Sequence, residues 1–340
     1  MRKRKSRKVF LTIGVVALLL VVLMLYMLFW PVGKTNKAAY IMIDQDDTKD
    51  SVFTKLEPVV TPTALKTIKF LTSMTSYGDH IRTGRYEVGK EGAFTTFRHI
   101  KNGIQAPMML TIPSVRTLDR LAEEVGKRMM FSSNELLDSL QDSTVCHRYG
   151  FTKETIPCMF IPNTYDLFWN TSITNFLDRM KKEYDRFWTS ARKEKAKTIG
   201  LTPEEVTTLA SIVEEETAND GEKPMVAGMY INRLNIDMLL QADPTVKFAL
   251  KNFEAKRIYN SMLSADSPYN TYKYKGLPPG PIRIPSVVGI DAVLNHTHHD
   301  YLYMCAKEDF SGTHNFAKTF SEHQANAAKY VKALNERGIK

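Results

Sequence analysis

Apolar and polar positions alternate in three different ways along this chain. Residues 9–30 form one uncharged apolar run of 22 residues, long enough to cross a bilayer as a helix. Beyond it the pattern breaks into short periodic segments. Residues 40–43 read as a strand, residues 51–75 as two short helices broken around Pro58 and Pro62, and residues 81–88 as a glycine-punctuated strand. A looser version of the same order begins at residues 109–112 and continues into helical patterns at 117–130 and 133–140. An aromatic loop at 160–169 leads into a long charged helical pattern over 173–197. The third regime is an amphipathic helix over 206–217. Thr202 suits its N-cap, Pro203 its first turn, and Glu205 completes a capping box. Val206, Leu209, Ala210 and Val213 fall at i, i+3, i+4 and i+7, one core-facing stripe.

Strand, helix, helix, strand over residues 40–88 is the order of a small LysM-like unit. The expected fold class is α+β: an N-terminal transmembrane helix, a LysM-like α+β subdomain and a C-terminal α+β domain. The boundaries read as a basic tail at 1–8, an anchor at 9–30, a linker at 31–39, the LysM-like region at 40–160, a connecting loop and helix at 161–199, and the last domain at 200–340. Within that domain a second helix covers 224–234, with Val226, Tyr230, Ile231 and Leu234 inward. A Pro/Gly-rich run spans 267–285, a strand 301–305 and a closing helix 321–334.

Charge refines the first regime. Arg2, Lys3, Arg4, Lys5, Arg7 and Lys8 all precede the apolar run, so the positive-inside rule puts the N-terminus in the cytoplasm and residues 31–340 outside it. Tyr26 and Trp30 suit the far interface. The run exceeds a signal-peptide core, and the next small pair, Ala38 and Ala39, comes late for cleavage. These six charges account for most of the net +9, and nine less six leaves +3 for the rest. That is too little for the basic stripe of nucleic-acid binding, so no nucleic-acid partner is expected. Cys146, Cys158 and Cys305 allow one disulfide or three free thiols.

The candidate chemistry sits at the end of the 206–217 helix, where Glu214, Glu215 and Glu216 follow one another. At about 100° per residue Glu215 points away from the apolar stripe, while Glu214 and Glu216 lie on its flanks. A carboxylate on such a flank is partly desolvated, which raises its pKa toward the range of a general acid. Periodicity does not separate Glu214 from Glu216. His296, His298, His299 and Asp300 lack the His-x-x-x-His spacing of zinc hydrolases and read as a surface loop, so neither metal nor cofactor is expected.

Several blocks in this region resemble the YceG-like family of endolytic murein transglycosylases. They are Ala-Ser-Ile-Val-Glu-Glu-Glu-Thr at 210–217, Ile-Asn-Arg-Leu at 231–234, Leu-Gln-Ala-Asp-Pro-Thr at 240–245, Ser-Pro-Tyr-Asn-Thr-Tyr at 267–272 and Gly-Leu-Pro-Pro-Gly-Pro at 276–281. Tyr-Leu-Tyr at 301–303, Gly-Thr-His-Asn-Phe at 312–316 and Glu322-His323 follow in the same order. The resemblance implies that Glu214 is the catalytic acid/base and that the substrate is peptidoglycan glycan. The bond cut would be that between N-acetylmuramic acid and N-acetylglucosamine inside a strand, leaving a 1,6-anhydro end. One carboxylate then suffices, because the sugar's own C6 hydroxyl replaces the second group an ordinary glycosidase needs. Gln241, Asp243, Tyr269, Asn270 and Tyr272 are the candidate sugar contacts, and Arg233 reads as a structural partner of a carboxylate. His314 and His323 match family positions without an assigned proton-transfer role. The expected partners are glycan strands, the membrane and, alongside, the synthases that build the strands.

Two departures concern loops: Ile-Pro-Ser at 284–286 stands where the family has Asn-Pro-Gly, and the usual proline before Tyr301 is missing. Two rival readings remain at this level. One is a noncatalytic glycan-binding scaffold. The other is a hydrolytic muramidase with Asp243 as second carboxylate.

Overall fold

The computed structural model describes residues 2–35, 37–255 and 258–338, with side chains from Lys8 onward. The basic tail read at 1–8 therefore lies, but for Lys8 and its backbone, outside the described residues. The fold is α+β, with fifteen helices and three two-stranded sheets among the described residues. Two compact units form. One comprises Met1–Leu110, Arg128–Met130 and Asp166–Thr171; the other comprises Thr111–Lys127, Phe131–Tyr165 and Ser172–Lys340.

The first unit opens with helix Arg2–Phe29, whose stretch Lys8–Phe29 is long and apolar enough to span a membrane and contains no buried residue. The residues after it differ from the expected linker. Val32 is only 1% exposed, its N–H donates to the Glu91 carbonyl at 2.9 Å, and its carbonyl accepts from Thr61 N–H at 2.8 Å. Backbone pairing at Gly33 with Val60 extends this seam, so the first part of 31–39 belongs to the unit's body. The seam needs Gly92, where an added Cβ would stand 2.4 Å from the Leu28 carbonyl oxygen and 2.5 Å from Phe29 Cα.

Strands β1 (Ala39–Ile43) and β2 (Gly84–Val88) pair antiparallel, Ile41 opposite Tyr86. Helices Lys49–Leu56 and Pro62–Ser73 lie between them in sequence, giving the strand–helix–helix–strand order expected. Period-two alternation turns Ile41, Ile43, Tyr86 and Val88 inward, where Val52, Leu56 and Ile68 meet them. The side chains of Thr48 and Thr61 cap the two helices.

Strands β3 (Met108–Ile112) and β4 (Asn163–Leu167) pair next. In the second unit the charged pattern at 173–197 is two helices, Ile173–Phe187 and Ser190–Thr198. The break follows from Trp188, 1% exposed, and from Thr189, whose side chain caps the second helix by accepting from Arg192 N–H. Helix Pro203–Glu216 has the predicted Thr202–Glu205 capping box. It is not amphipathic in place: all eight residues from Val206 to Val213 are buried. Its polar members are neutralised locally, with Thr207 and Thr208 hydroxyls donating to the carbonyls of Pro203 and Glu204, both at 2.8 Å. Helices Lys223–Asn235, Asp243–Ala249 and Val287–Leu294 pack around it. An antiparallel hairpin of β5 (Tyr303–Ala306) and β6 (His314–Ala317) and the helix Phe320–Glu336 complete the unit.

The unit holding the carboxylate helix thus begins near residue 111, not at 200. Its early segment supplies Ser114 and Arg116 to the end of that helix.

Candidate functional site

Helix Pro203–Glu216 leaves the core at its last turn, and its three carboxylates enter three separate surroundings. Glu214 is half-buried, like Glu215 and Glu216. One oxygen accepts from the Ser286 backbone N–H and hydroxyl, both at 2.8 Å; the other faces Ser114 Oγ at 3.4 Å and Arg283 at 3.7 Å. Gly289 lies so close that a Cβ there would meet Glu214 Oε2 at 2.6 Å. Glu215 is held by two guanidinium groups: Arg116 grips both oxygens at 2.8 Å, and Arg283 adds a contact at 2.9 Å.

Glu216 is half-buried at the edge of a groove. It lines a groove of about 340 Å³ together with Tyr230, Arg233, Gln241, Asp243, Tyr272, Tyr303, His314 and His323. Glu214 is not among the residues lining it. Burial pushes the Glu216 carboxyl up to about 7; the Tyr230 hydroxyl, donating at 2.8 Å, opposes the rise, and the negative charge of Asp243 adds to it. A carboxyl group titrating there is half protonated at neutral pH, so it can both give and take a proton.

The segment after helix Lys223–Asn235 is shaped to line this groove. Gln241 has a left-handed backbone, φ +47°, unusual for a residue with a Cβ. It is fixed there by its N–H to the Thr271 carbonyl at 3.1 Å, and by Ala242 N–H to Thr271 Oγ1 at 3.0 Å. Asp243 accepts from the Tyr272 hydroxyl at 2.5 Å, which joins two of the predicted sugar contacts. Tyr303 and His323 also line the groove, their rings stacked at 5.5 Å with 24° between planes, and Arg233 lies over the Tyr303 ring at 5.5 Å.

Gln241, Asp243 and Tyr272 thus converge on Glu216. Tyr269 and Asn270 do not. Asn270 is fully buried; its amide donates to the Leu263 and Ala265 carbonyls, both at 2.8 Å, and its oxygen accepts from Tyr272 N–H at 3.0 Å. It shapes the loop that presents Tyr272. Tyr269 packs on Phe248 at 4.7 Å and lines a different cavity. Arg233 also differs from expectation: its partners are the carbonyls of Leu302 at 2.6 Å and Leu240 at 2.7 Å, not a carboxylate. These bonds tie the hairpin to the groove floor.

Several residues that sequence reasoning did not single out complete the picture. Glu222 accepts from the Thr217 hydroxyl at 2.9 Å, from His314 N–H at 2.6 Å, and pairs with His314 Nδ1 at 2.9 Å, locking the hairpin to the residue after Glu216. In the histidine loop, His299 Nδ1 accepts from Tyr301 N–H at 3.0 Å and its Nε2 meets the Met225 carbonyl at 3.0 Å, so the ring is a loop brace. Cys146, Cys158 and Cys305 are free thiols.

Three comparisons bear on this arrangement. A model of the YceG-like family matches residues 41–329. The endolytic murein transglycosylase of Streptococcus pneumoniae serotype 2 (strain D39 / NCTC 7466) is 31% identical over 253 residues, covering 67% of this chain and 46% of the relative. The endolytic murein transglycosylase of Bacillus subtilis (strain 168) is 28% identical over 243 residues, covering 67% of this chain and 66% of that protein. The chain therefore spans about half the length of the pneumococcal relative it matches. Among solved structures, a yceG-like protein of Listeria monocytogenes superposes with a TM-score of 0.55 at 26% identity, covering 86% of this chain and 99% of the other.

Proposed function

Because this chain belongs to the YceG-like family, we propose that it is an endolytic peptidoglycan lytic transglycosylase whose acid/base is Glu216. The family resemblance alone pointed to Glu214. The observation that favours Glu216 is its environment: a carboxyl group with a pKa near 7, open to the groove that Gln241, Asp243 and Tyr272 also line. Glu214, by contrast, is not among the residues lining that groove, and one of its oxygens accepts from both the N–H and the hydroxyl of Ser286.

Protonated Glu216 gives its proton to the glycosidic oxygen between N-acetylmuramic acid and N-acetylglucosamine. The C1–O bond breaks with its electron pair leaving on that oxygen. The C6 hydroxyl of the muramyl residue then attacks C1, and Glu216 takes up the hydroxyl proton. The products are a free 4-hydroxyl and a 1,6-anhydro end, and Glu216 is restored. Ring closure within one sugar benefits from an effective molarity of up to about 10⁵ to 10⁸ M. Gln241 and Asp243 supply hydrogen bonds to the acetamido and hydroxyl groups.

The helix over Lys8–Phe29 is the membrane anchor in this reading, with the N-terminus cytoplasmic and residues 31–340 outside. The enzyme would then shorten nascent strands next to the bilayer, beside the synthases that extend them.

The test is mass spectrometry of peptidoglycan digested by purified protein. Wild type should release anhydro-muramyl fragments, Glu216→Gln none, and Glu214→Gln a reduced but measurable amount. Reducing-end muramic acid would instead establish hydrolysis, with Asp243 as second carboxylate. Undigested strands retained on the protein would favour a binding scaffold, and loss of activity in Glu214→Gln alone would return the role to Glu214.

A further inference from the structure

A second cavity, of about 230 Å³, lies in the same unit as the groove and takes no part in the chemistry above. Its walls are aromatic. Phe248 packs on Tyr269 at 4.7 Å and on Phe253 at 6.2 Å, and Arg116 lies over the Phe253 ring at 5.7 Å. Its rim carries Lys153 and Lys251, both exposed, and neither is in an ion pair among the described residues. Arg116 and Arg283 also line it, but their charge is committed to Glu215. Asp119 and Glu154 are the acidic members of the lining.

One short helix borders both the groove and the cavity. In Asp243–Ala249, Asp243 lines the groove, while Pro244, Lys247 and Phe248 line a smaller hollow of about 120 Å³ that shares Arg116, Phe248 and Phe253 with the second cavity. Glu215 sits in that hollow, next in sequence to Glu216. From Asp243 to Ala249 the helix rises about 9 Å, and Lys251 follows two residues beyond its end. A pentapeptide in extended form reaches about 16 Å.

We propose that this second cavity binds the peptide stem carried by the muramyl residue of the strand, with the stem carboxylates on Lys153 and Lys251. The proposal rests on the glycan-cleaving reading of the groove. In a stem-bearing strand the lactyl carboxyl is amide-linked, so the sugars themselves carry no charge and would leave two lysines unused, whereas the stem brings a C-terminal carboxylate and the α-carboxylate of its γ-linked D-glutamate. The side-chain amine of its third residue meets the acidic pair Asp119 and Glu154. Apolar methyl groups of the terminal alanines fill the aromatic part.

The experiment is fluorescence anisotropy of labelled L-Ala–γ-D-Glu–L-Lys–D-Ala–D-Ala with the full chain in detergent. Saturable binding by wild type is expected, with the Kd raised at least tenfold in Lys153→Glu/Lys251→Glu. Lys251→Gly should raise it about threefold, and that variant folds readily because Lys251 has φ +52°, where glycine is unstrained. Absence of saturable binding, an unchanged Kd in both variants, or competition by chitohexaose as strong as by unlabelled peptide each overturns the proposal. Binding is read without cleavage, so the two claims separate. A protein that binds peptide and cuts nothing loses the transglycosylase reading and keeps the peptide site. One that cuts glycan without binding peptide loses only the site.

Discussion

Tyr230 donates its hydroxyl hydrogen to Glu216 across 2.8 Å, and this bond is the main force opposing the upward push of burial on that carboxyl group. A hydrogen bond to the ionised form favours ionisation. Tyr230→Phe should therefore move the Glu216 pKa further up. The alkaline limb of the pH–rate profile, where the general acid loses its proton, is expected to shift about one unit to higher pH. A profile measured on both proteins decides this, and an unmoved limb would remove Glu216 from the acid role.

The same group links stability to pH. Unfolded, Glu216 titrates near 4.5, and folded it titrates near 7. Below about pH 4.5 both states hold the proton and the group contributes nothing. As pH rises from about 4.5 to about 7 the unfolded chain loses its proton while the folded state keeps it, so stability falls, by at most about 3 kcal/mol, and levels off above 7. Glu216→Gln cannot ionise. It is expected to resist urea better than wild type at pH 8 and equally at pH 4.

Glu215 holds two arginines at once, Arg116 at 2.8 Å and Arg283 at 2.9 Å. Glu215→Ala leaves the mostly enclosed Arg283 without its main counter-ion. A loss of about 1 to 3 kcal/mol is expected, with Arg283→Met partly restoring the double variant. Chemical denaturation of the three proteins measures both values.

At Gly92, in the first unit, the place of a Cβ is filled by backbone of Leu28 and Phe29. Because those neighbours are main chain, they cannot swing aside. Gly92→Ala should cost about 1 to 3 kcal/mol and expose the seam at Val32 to protease, an outcome read by limited proteolysis.

Local signals carried much of the fold. Thr202, Pro203 and Glu205 announced the start of the carboxylate helix, and the turn residues around Pro62 and Gly84 marked the strand–helix–helix–strand unit. Periodicity also narrowed the acid to Glu214 or Glu216. What separates them is distant in sequence: Ser286 fills the space around Glu214 from 72 residues away, and Ser114 from 100. Tyr230 read as an ordinary inward residue of its helix, since nothing local says that its hydroxyl meets a carboxylate 14 residues earlier. Asn270 looked like a sugar contact because amides often are, yet its three bonds all stay inside its own loop. The burial of the carboxylate helix on every side was hidden for a different reason: Thr207, Thr208 and Ser211 look polar but hand their hydroxyl hydrogens back to carbonyls one turn earlier.

Glu216 is the last residue of helix Pro203–Glu216. Peptide dipoles sum to a partial negative charge at that end, the wrong place for an anion. Three acids in a row there are electrostatically backward. Two are quieted by hydroxyl, amide and guanidinium donors, while the third is left with a single phenol. The backbone itself thus biases the third toward its neutral form, a property that no exchange of one groove side chain would erase.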